Sequence, residues 1–261
     1  MKLTVLTENI AGGHFLAEHG LSYLIEIDNE KILFDAGHSD VFIRNAEKMG
    51  ISLRDDVGKV VLSHGHWDHG NGLIHLSGKT LITHPSSFIK RFRKKDYSPV
   101  GLNQTFEEAR LKFQMITTKK PFQVTANLYY LGEIPRLNDF EAKTTSFINE
   151  NGNDDFISDD SALAVVLGKQ ITIITGCSHS GICNICEHAK NVTGIKSIKT
   201  VIGGFHLKEN DLQTRQTIGY FKINGVRDLL PSHCTELPVL AEFIREFPIR
   251  SVKTGMVFNF K

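Results

Sequence analysis

The sequence lacks the features that mark secreted, membrane-spanning or nucleic-acid-binding proteins. Its formal net charge is only +1 over 261 residues, so no excess of one sign attracts nucleic acid or an anionic membrane over long range. The opening stretch, MKLTVLTENIAGGHF, shows no charged leader with an apolar run and a cleavage site, and no run of about 18 apolar residues occurs. We therefore expect a cytoplasmic protein with neither nucleic acid nor a membrane as partner; its oligomeric state stays open.

Cysteine is scarce, and its placement does not suggest disulfide bonds. All four cysteines (Cys177, Cys183, Cys186 and Cys234) lie in the last third of the chain, and without an export signal we expect reduced thiols. Cys183 and Cys186 form a C-x-x-C pair in a predicted helix. A structural zinc or iron–sulfur site would need a second close pair, which Cys177 and Cys234 do not form in sequence, so we interpret the pair as ordinary buried cysteines.

Histidine is the residue in excess. An apolar fraction of 41% and a charged fraction of 23% are typical of a globular protein with a conventional core, and 261 residues are best accommodated in one domain spanning residues 1–261. The twelve histidines, however, are about twice the number that typical usage would give. This excess is the compositional feature that indicates chemistry.

Short apolar segments predict alternating strands and helices, and hence an α/β fold. Strands are expected at 3–7, 21–27, 31–37, 59–65, 79–84, 161–167, 170–176, 200–204, 228–233 and 251–260, and helices at 39–50, 181–190, 211–223 and 237–247. Between 85 and 160 we expect strands joined by long loops. In the last helix Leu240, Phe243, Ile244 and Phe247 share one face, which is the pattern of an amphipathic helix.

The segment His64-Gly65-His66-Trp67-Asp68-His69 places four potential metal ligands within six residues. Side chains two apart in an extended segment point the same way, so His64 and His66 can chelate one ion. Asp68 and His69 follow once the chain has begun to turn, and they can present a carboxylate and an imidazole to a second ion. The pattern predicts a two-metal site in which Asp68 is both a ligand and the catalytic group that orients water.

The stretch LSHGHWDHGNG resembles the H-x-H-x-D-H signature of the metallo-β-lactamase superfamily, and Asp35 in LFDAG matches that family's early Asp-x-Gly element. The resemblance implies a four-layer αββα sandwich and two divalent metal ions. Zinc fits imidazole and carboxylate ligands best, with iron and manganese as alternatives. The resemblance also implies an enzyme that uses a hydroxide held by two metal ions.

The resemblance implies further ligands in loops after later strands. TGCSHSG offers Cys177 and His179, and PSHCTE offers His233. Many relatives carry an aspartate where this chain has Cys177, so either the thiolate replaces the carboxylate or His179 serves instead. The usual histidine ahead of this turn is absent, because the loop reads ISDDSALAV, which leaves Asp159 or Asp160 as alternatives. We expect Cys177, His179 and His233 to complete the metal set.

The segments EHGLSYLIE, LITHP, TGCSHSGI, IGGFHL and PSHCT resemble the branch typified by 7,8-dihydropterin-6-methyl-4-(β-D-ribofuranosyl)aminobenzene 5′-phosphate synthase. In these segments His19, His84 and His206 either line a substrate pocket or are satisfied by local hydrogen bonds. The branch implies a metal-dependent hydrolase or synthase acting on a small phosphorylated or pterin-like molecule. Alternatives are a diiron redox enzyme, a phosphodiesterase or lactonase of broad specificity, and a non-catalytic binding module.

The basic run KRFRKK at 90–95 has two interpretations. Local positive charge could steer a phosphate-bearing substrate. A charge run is more often a solvated face, and we expect a solvated face here.

Overall fold

Two compact units make up the chain in the computed structural model, which describes residues 1–261. The first unit comprises Met1–Lys119, Thr145–Asp159 and Lys253–Lys261, and the second comprises Lys120–Thr144 and Asp160–Val252. None of the helices combines the length and the apolar character needed to cross a membrane.

Fifteen strands account for most of the regular structure. In chain order they are β1 (Lys2–Thr7), β2 (Ser22–Ile27), β3 (Glu30–Phe34), β4 (Lys59–Val61), β5 (Lys79–Thr83), β6 (Arg91–Arg93), β7 (Phe113–Thr117), β8 (Phe122–Gln123), β9 (Leu128–Tyr130), β10 (Phe147–Asn149), β11 (Ala162–Leu167), β12 (Gln170–Thr175), β13 (Ile198–Gly204), β14 (Asp228–Ser232) and β15 (Val257–Asn259).

Seven α-helices and one 3-10 helix connect these strands. They are α1 (Val41–Lys48), α2 (Leu53–Asp56), α3 (Trp67–Gly70), α4 (Phe106–Lys112), α5 (Ile182–Thr193), α6 (Leu212–Ile223) and α7 (Leu237–Glu246), with the 3-10 helix at Asn71–His75.

The first unit is built on a seven-stranded sheet with the order β15-β1-β2-β3-β4-β5-β7. β3, β4, β5 and β7 pair in parallel, so the carboxyl ends of β3 and β4 meet at one edge. The backbone N–H of Asp35 donates to the carbonyl of Val61 over 2.9 Å. Phe42 and Ala46 of α1 pack with Leu33 in a buried apolar cluster. The end of β4 is therefore a rigid support for the residues that follow it.

The second unit is built on a six-stranded sheet with the order β14-β13-β12-β11-β9-β8. β11 and β12 form the predicted hairpin, and Gly168 takes the left-handed conformation, with φ of 63°, that its turn requires. β12, β13 and β14 are parallel, so the loops that leave their carboxyl ends emerge at one edge of the sheet. Phe205, Phe221 and Phe243 form the centre of the apolar cluster that includes residues of α5, α6 and α7.

The prediction for residues 85–160 is wrong at α4. A capping box begins this helix: the Thr105 hydroxyl accepts a hydrogen bond from the Glu108 backbone N–H over 3.2 Å, and the Glu108 carboxylate accepts one from the Thr105 N–H over 2.8 Å. A Thr three residues before a Glu is the sequence pattern for such a start. The last strand is also shorter than predicted, because only Val257–Asn259 pairs with β1.

The buried face of α7 differs from the predicted one. Val239, Phe243 and Phe247 are buried, with 0%, 0% and 6% of their surface exposed, whereas Ile244 is 64% exposed. Positions four apart lie on one stripe of a helix, but adjacent residues differ by about 100°. The packing selects the Val239 stripe, which excludes Ile244 from the core.

This difference gives a paired stability prediction. Phe243→Ala should lower the free energy of unfolding by about 3–5 kcal/mol, because it removes a fully buried aromatic ring. The neighbouring Ile244→Ala should change it by no more than about 0.5 kcal/mol. Denaturant unfolding of both variants measures the difference, and equal losses would contradict the assigned face.

Candidate functional site

Four buried side chains of the H-x-H-x-D-H segment converge in the first unit, and we call His64, His66, Asp68 and His69 the histidine cluster. Nε2 of His64 and Nδ1 of His66 are 3.0 Å apart, and Nε2 of His69 is 3.8 Å from Oδ2 of Asp68. The ring centroids of His64 and His69 are 4.3 Å apart. The structure thus brings together all four ligands that the local spacing predicts.

Gly65 lets the chain pass close to a neighbouring loop. A Cβ atom built on Gly65 would lie 1.7 Å from the carbonyl oxygen of Ser87, a separation that no side chain can have. The backbone N–H of Gly65 donates to Oδ2 of Asp159 over 2.7 Å. Only glycine therefore fits between His64 and His66.

Asp35 anchors the cluster from beneath. Its Oδ1 accepts the backbone N–H of Ser63 over 2.7 Å, and its Oδ2 accepts the Ser63 hydroxyl and Nδ1 of His69, each over 2.7 Å. Since the Ser63 proton is used on Asp35, Nδ1–H of His64 is the donor in its 2.9 Å contact with Ser63 Oγ. Both histidines are thereby held in the tautomer that leaves Nε2 able to bind a metal.

This donor set fits a divalent metal ion. Two nitrogens that bind one tetrahedral zinc at about 2.0–2.1 Å lie roughly 3.3 Å apart, close to the 3.0 Å between His64 and His66. Burial lowers the pKa of His64 well below its ordinary value, and the neighbouring His69 and His66 lower it further. His64 is consequently a neutral imidazole, which is the form that coordinates a metal.

Arg91 is a positioning residue that sequence reasoning missed. It belongs to the basic run, yet its side chain is fully buried, so the expectation of a solvated face is wrong at this position. Its guanidinium donates to both oxygens of Asp159, over 3.1 and 2.9 Å, and its Nε lies 3.1 Å from Oδ2 of Asp155. Because Asp159 also binds the N–H of Gly65, the Arg91–Asp159 pair holds the loop that carries the histidine cluster.

Two of the histidines predicted for a substrate pocket lie in the first unit. Nε2 of His19 is 3.1 Å from Oδ2 of Asp68, its side chain is 56% exposed, and its ring stacks on Trp67 with centroids 5.3 Å apart. His84 is buried, and its Nδ1 accepts the backbone N–H of Ser86 over 3.1 Å. His19 therefore lies beside the histidine cluster and in contact with solvent. His84 has a local hydrogen bond, which was the alternative to lining a substrate pocket.

In the second unit, loops after three parallel strands bring together the thiol cluster, which we define as Cys177, His206 and Cys234. One potential ligand atom of each lies within 4.8 Å of the other two. The predicted ligand His179 lies beside this cluster, with its ring centroid 4.1 Å from that of His206. The predicted ligand His233 directly precedes Cys234 in the loop after β14.

The loop after β12 is fixed by hydrogen bonds within the second unit. The Thr175 hydroxyl lies 2.8 Å from Ser178 Oγ, which donates to the carbonyl of Gly204 over 2.6 Å. The backbone N–H of Ser180 donates to Oδ2 of Asp160 over 2.8 Å, so Asp160 supports this loop. Backbone strain occurs here and in the following loops, since Ser178, His206 and His233 have φ of 61°, 49° and 54°.

The cysteines occupy two different environments. Cys183 and Cys186 are buried in the apolar cluster of α5, as expected for buried cysteines on a helix, and burial raises the pKa of both thiols well above the ordinary value. Burial also raises the pKa of Cys234. Hydrogen bonds with Cys177 and His206 and the charges of His206 and His233 outweigh this effect, so that pKa is well below the ordinary value.

Comparisons with known proteins agree with this geometry. A sequence model of the metallo-beta-lactamase superfamily matches residues 17–85. The crystal structure of Tm1679, described as a metal-dependent hydrolase of the beta-lactamase superfamily, is 31% identical, with a TM-score of 0.88 over 100% of this chain and 99% of that one. The chain belongs to the metallo-β-lactamase superfamily. The predicted family and the α/β fold of that type are confirmed.

Two proteins of Methanocaldococcus jannaschii are similar along nearly their whole length. The uncharacterized protein MJ0448 is 32% identical over 249 residues, which cover 92% of this chain and 93% of the relative. The 7,8-dihydropterin-6-methyl-4-(beta-D-ribofuranosyl)-aminobenzene-5′-phosphate synthase is 31% identical over 271 residues, which cover 95% and 92%. The resemblance to the synthase branch is thus confirmed as a relationship of sequence.

The role of Asp35 can be tested by metal binding. Asp35→Asn removes the charge that orients His69 and Ser63, so zinc affinity should fall roughly 10- to 100-fold. The matched control is Asp40→Asn, since the Asp40 side chain makes no capping bond to α1. Competition with a chromophoric chelator measures both affinities. An unchanged affinity in Asp35→Asn would show that the anchor is not needed.

The role of Arg91 can be tested by stability. Arg91→Met leaves two buried carboxylates uncompensated and should lower the free energy of unfolding by about 3–5 kcal/mol. Arg93→Met, in the same basic run but exposed, should change it by at most about 0.5 kcal/mol. Adding Asp159→Asn to Arg91→Met should restore part of the loss, because it removes one of the unpaired charges. If all three proteins unfold alike, Arg91 does not compensate the two buried carboxylates.

Proposed function

We propose that this protein is a metal-dependent hydrolase that binds divalent metal ions through the histidine cluster and acts on a small molecule. The observation that carries the proposal is the convergence of three buried imidazoles and one carboxylate, two of them held in a metal-binding tautomer by the hydrogen bonds of Asp35. Tm1679, a relative of full length, is described as a metal-dependent hydrolase, which supports the same reaction class.

The proposed ligand set follows the family pattern. His64, His66, Asp68 and His69 bind metal in the first unit. The sequence assigns the remaining ligands to Cys177 or His179 in the loop after β12 and to His233 in the loop after β14. Two ions, with zinc as the first choice, suit imidazole, carboxylate and thiolate donors together.

When bound, such ions lower the pKa of water toward neutrality and polarise the group under attack. Asp68, whose side chain is 10% exposed within the cluster, would orient that water and accept its proton. His19 contacts that carboxylate from the solvent side over 3.1 Å, so it can pass the proton onward. Arg91 and Asp159 keep the loop in place during turnover.

The substrate that we propose is a small phosphorylated or pterin-like molecule. The support is the activity named for the synthase relative, whose product is a dihydropterin that carries a ribofuranosyl phosphate. We also propose a cytoplasmic location, because four free cysteines are suited to a reducing compartment.

Activity measurements on metal-loaded protein test this function. A screen of phosphodiester, ester, lactone and pterin substrates should find one that is hydrolysed, and a chelator should abolish the reaction. Asp68→Asn should lower kcat/KM on that substrate by about 10²–10⁴-fold, the range for loss of a general base. The control is His75→Ala, since His75 is an exposed histidine of the same region.

Two results would refute the proposal. One is full activity in Asp68→Asn or His66→Ala. The other is native protein that contains iron and consumes oxygen but hydrolyses none of the substrates, which would favour the diiron alternative.

A further inference from the structure

We propose that the thiol cluster is a metal site of its own, in which Cys177, Cys234 and His206 bind one zinc ion and leave a fourth position open. All three ligands belong to the second unit, and binding of this ion can be measured without the proposed hydrolase activity. It also assigns Cys177 to this set, which leaves His179 as the ligand from the same loop for the hydrolytic metals.

The geometry suits an ion with little rearrangement. Potential ligand atoms of the three side chains lie within 4.8 Å of one another. Ligands of a tetrahedral zinc lie roughly 3.3–3.8 Å apart, given bond lengths of about 2.0–2.3 Å. Cys234 and His206 are only partly buried, so an ion can reach them from solvent.

Two features of the surroundings point to an occupant. A Cβ atom on Gly204 would lie 2.5 Å from Sγ of Cys234, so the glycine keeps the space in which this thiol sits. Nδ1 of His206 is buried and has no hydrogen-bond partner in the protein. A buried imidazole nitrogen without a partner costs free energy, and a bound ion at this atom would offset that cost.

The donor chemistry selects the metal. Two thiolates and one imidazole favour zinc over magnesium, calcium or manganese, which prefer oxygen. Three protein ligands with an open position are the arrangement of zinc sites that also bind water or substrate. The C-x-x-C pair of α5 makes a useful contrast, because Cys183 and Cys186 lie among apolar side chains as high-pKa thiols.

X-ray absorption and cobalt substitution test the proposal on the full chain. In His64→Ala/His66→Ala, which removes the chelating pair of the histidine cluster, one zinc per chain should remain, with sulfur scatterers at about 2.3 Å. Cobalt-loaded protein should show a thiolate-to-cobalt charge-transfer band in the near ultraviolet. Cys234→Ala should weaken that band and the affinity, and His206→Ala should lower the affinity.

Cys183→Ala is the matched control, since it removes one thiol that lies outside the cluster and should leave the band unchanged. The proposal is overturned if cobalt-loaded wild-type protein shows no thiolate band, or if Cys234→Ala keeps the full band. It is also overturned if only nitrogen and oxygen surround the zinc of His64→Ala/His66→Ala. Should the double histidine variant not fold, the comparison of wild type with Cys234→Ala decides. Loss of hydrolysis in His66→Ala with an unchanged thiolate band separates this site from the proposed function.

Discussion

Asp35 follows β3 in the left-handed conformation, with φ of 57°, and its carboxylate accepts three hydrogen bonds from Ser63 and His69. These bonds join the end of β3 to the end of β4, set the tautomers of His64 and His69, and fix the turn that carries Asp68. An aspartate tolerates this backbone conformation better than most residues, but the conformation still costs free energy. The surrounding sheet maintains the left-handed conformation of Asp35, and as a result the imidazoles are preorganised.

In both units, loops at the carboxyl ends of parallel strands carry the clustered side chains. Parallel strands place their carboxyl ends along one edge of a sheet, so loops from separate parts of the chain can meet there. In the first unit this arrangement places Asp35 next to the histidine cluster, and in the second it places Cys177, His206 and Cys234 close together. Buried apolar clusters make both sheets rigid, which is what a metal site needs if its ligands are to stay within bonding distance.

Burying charged side chains also costs the first unit free energy. Arg91 and Asp159 are fully removed from solvent, and an apolar pair of similar size would often be at least as stable. The position of the pair explains it, because Asp159 also accepts the N–H of Gly65 between His64 and His66. Specific placement of that loop, and not net stability, is what the ion pair contributes.

Local periodicity determined much of this protein in advance. The order of strands and helices around both sheets, and the convergence of His64, His66, Asp68 and His69, follow from spacings of a few residues, because backbone geometry alone directs side chains that are so close in sequence.

Only the tertiary structure decided the rest. Local spacing cannot reveal that Cys177 meets Cys234, that Arg91 leaves its basic run for the interior, or that Phe243 is buried while Ile244 is exposed. Each of these depends on which surfaces pack together across long stretches of chain. A residue's type and its near neighbours do not encode that pairing, whereas the sheets and their buried clusters do.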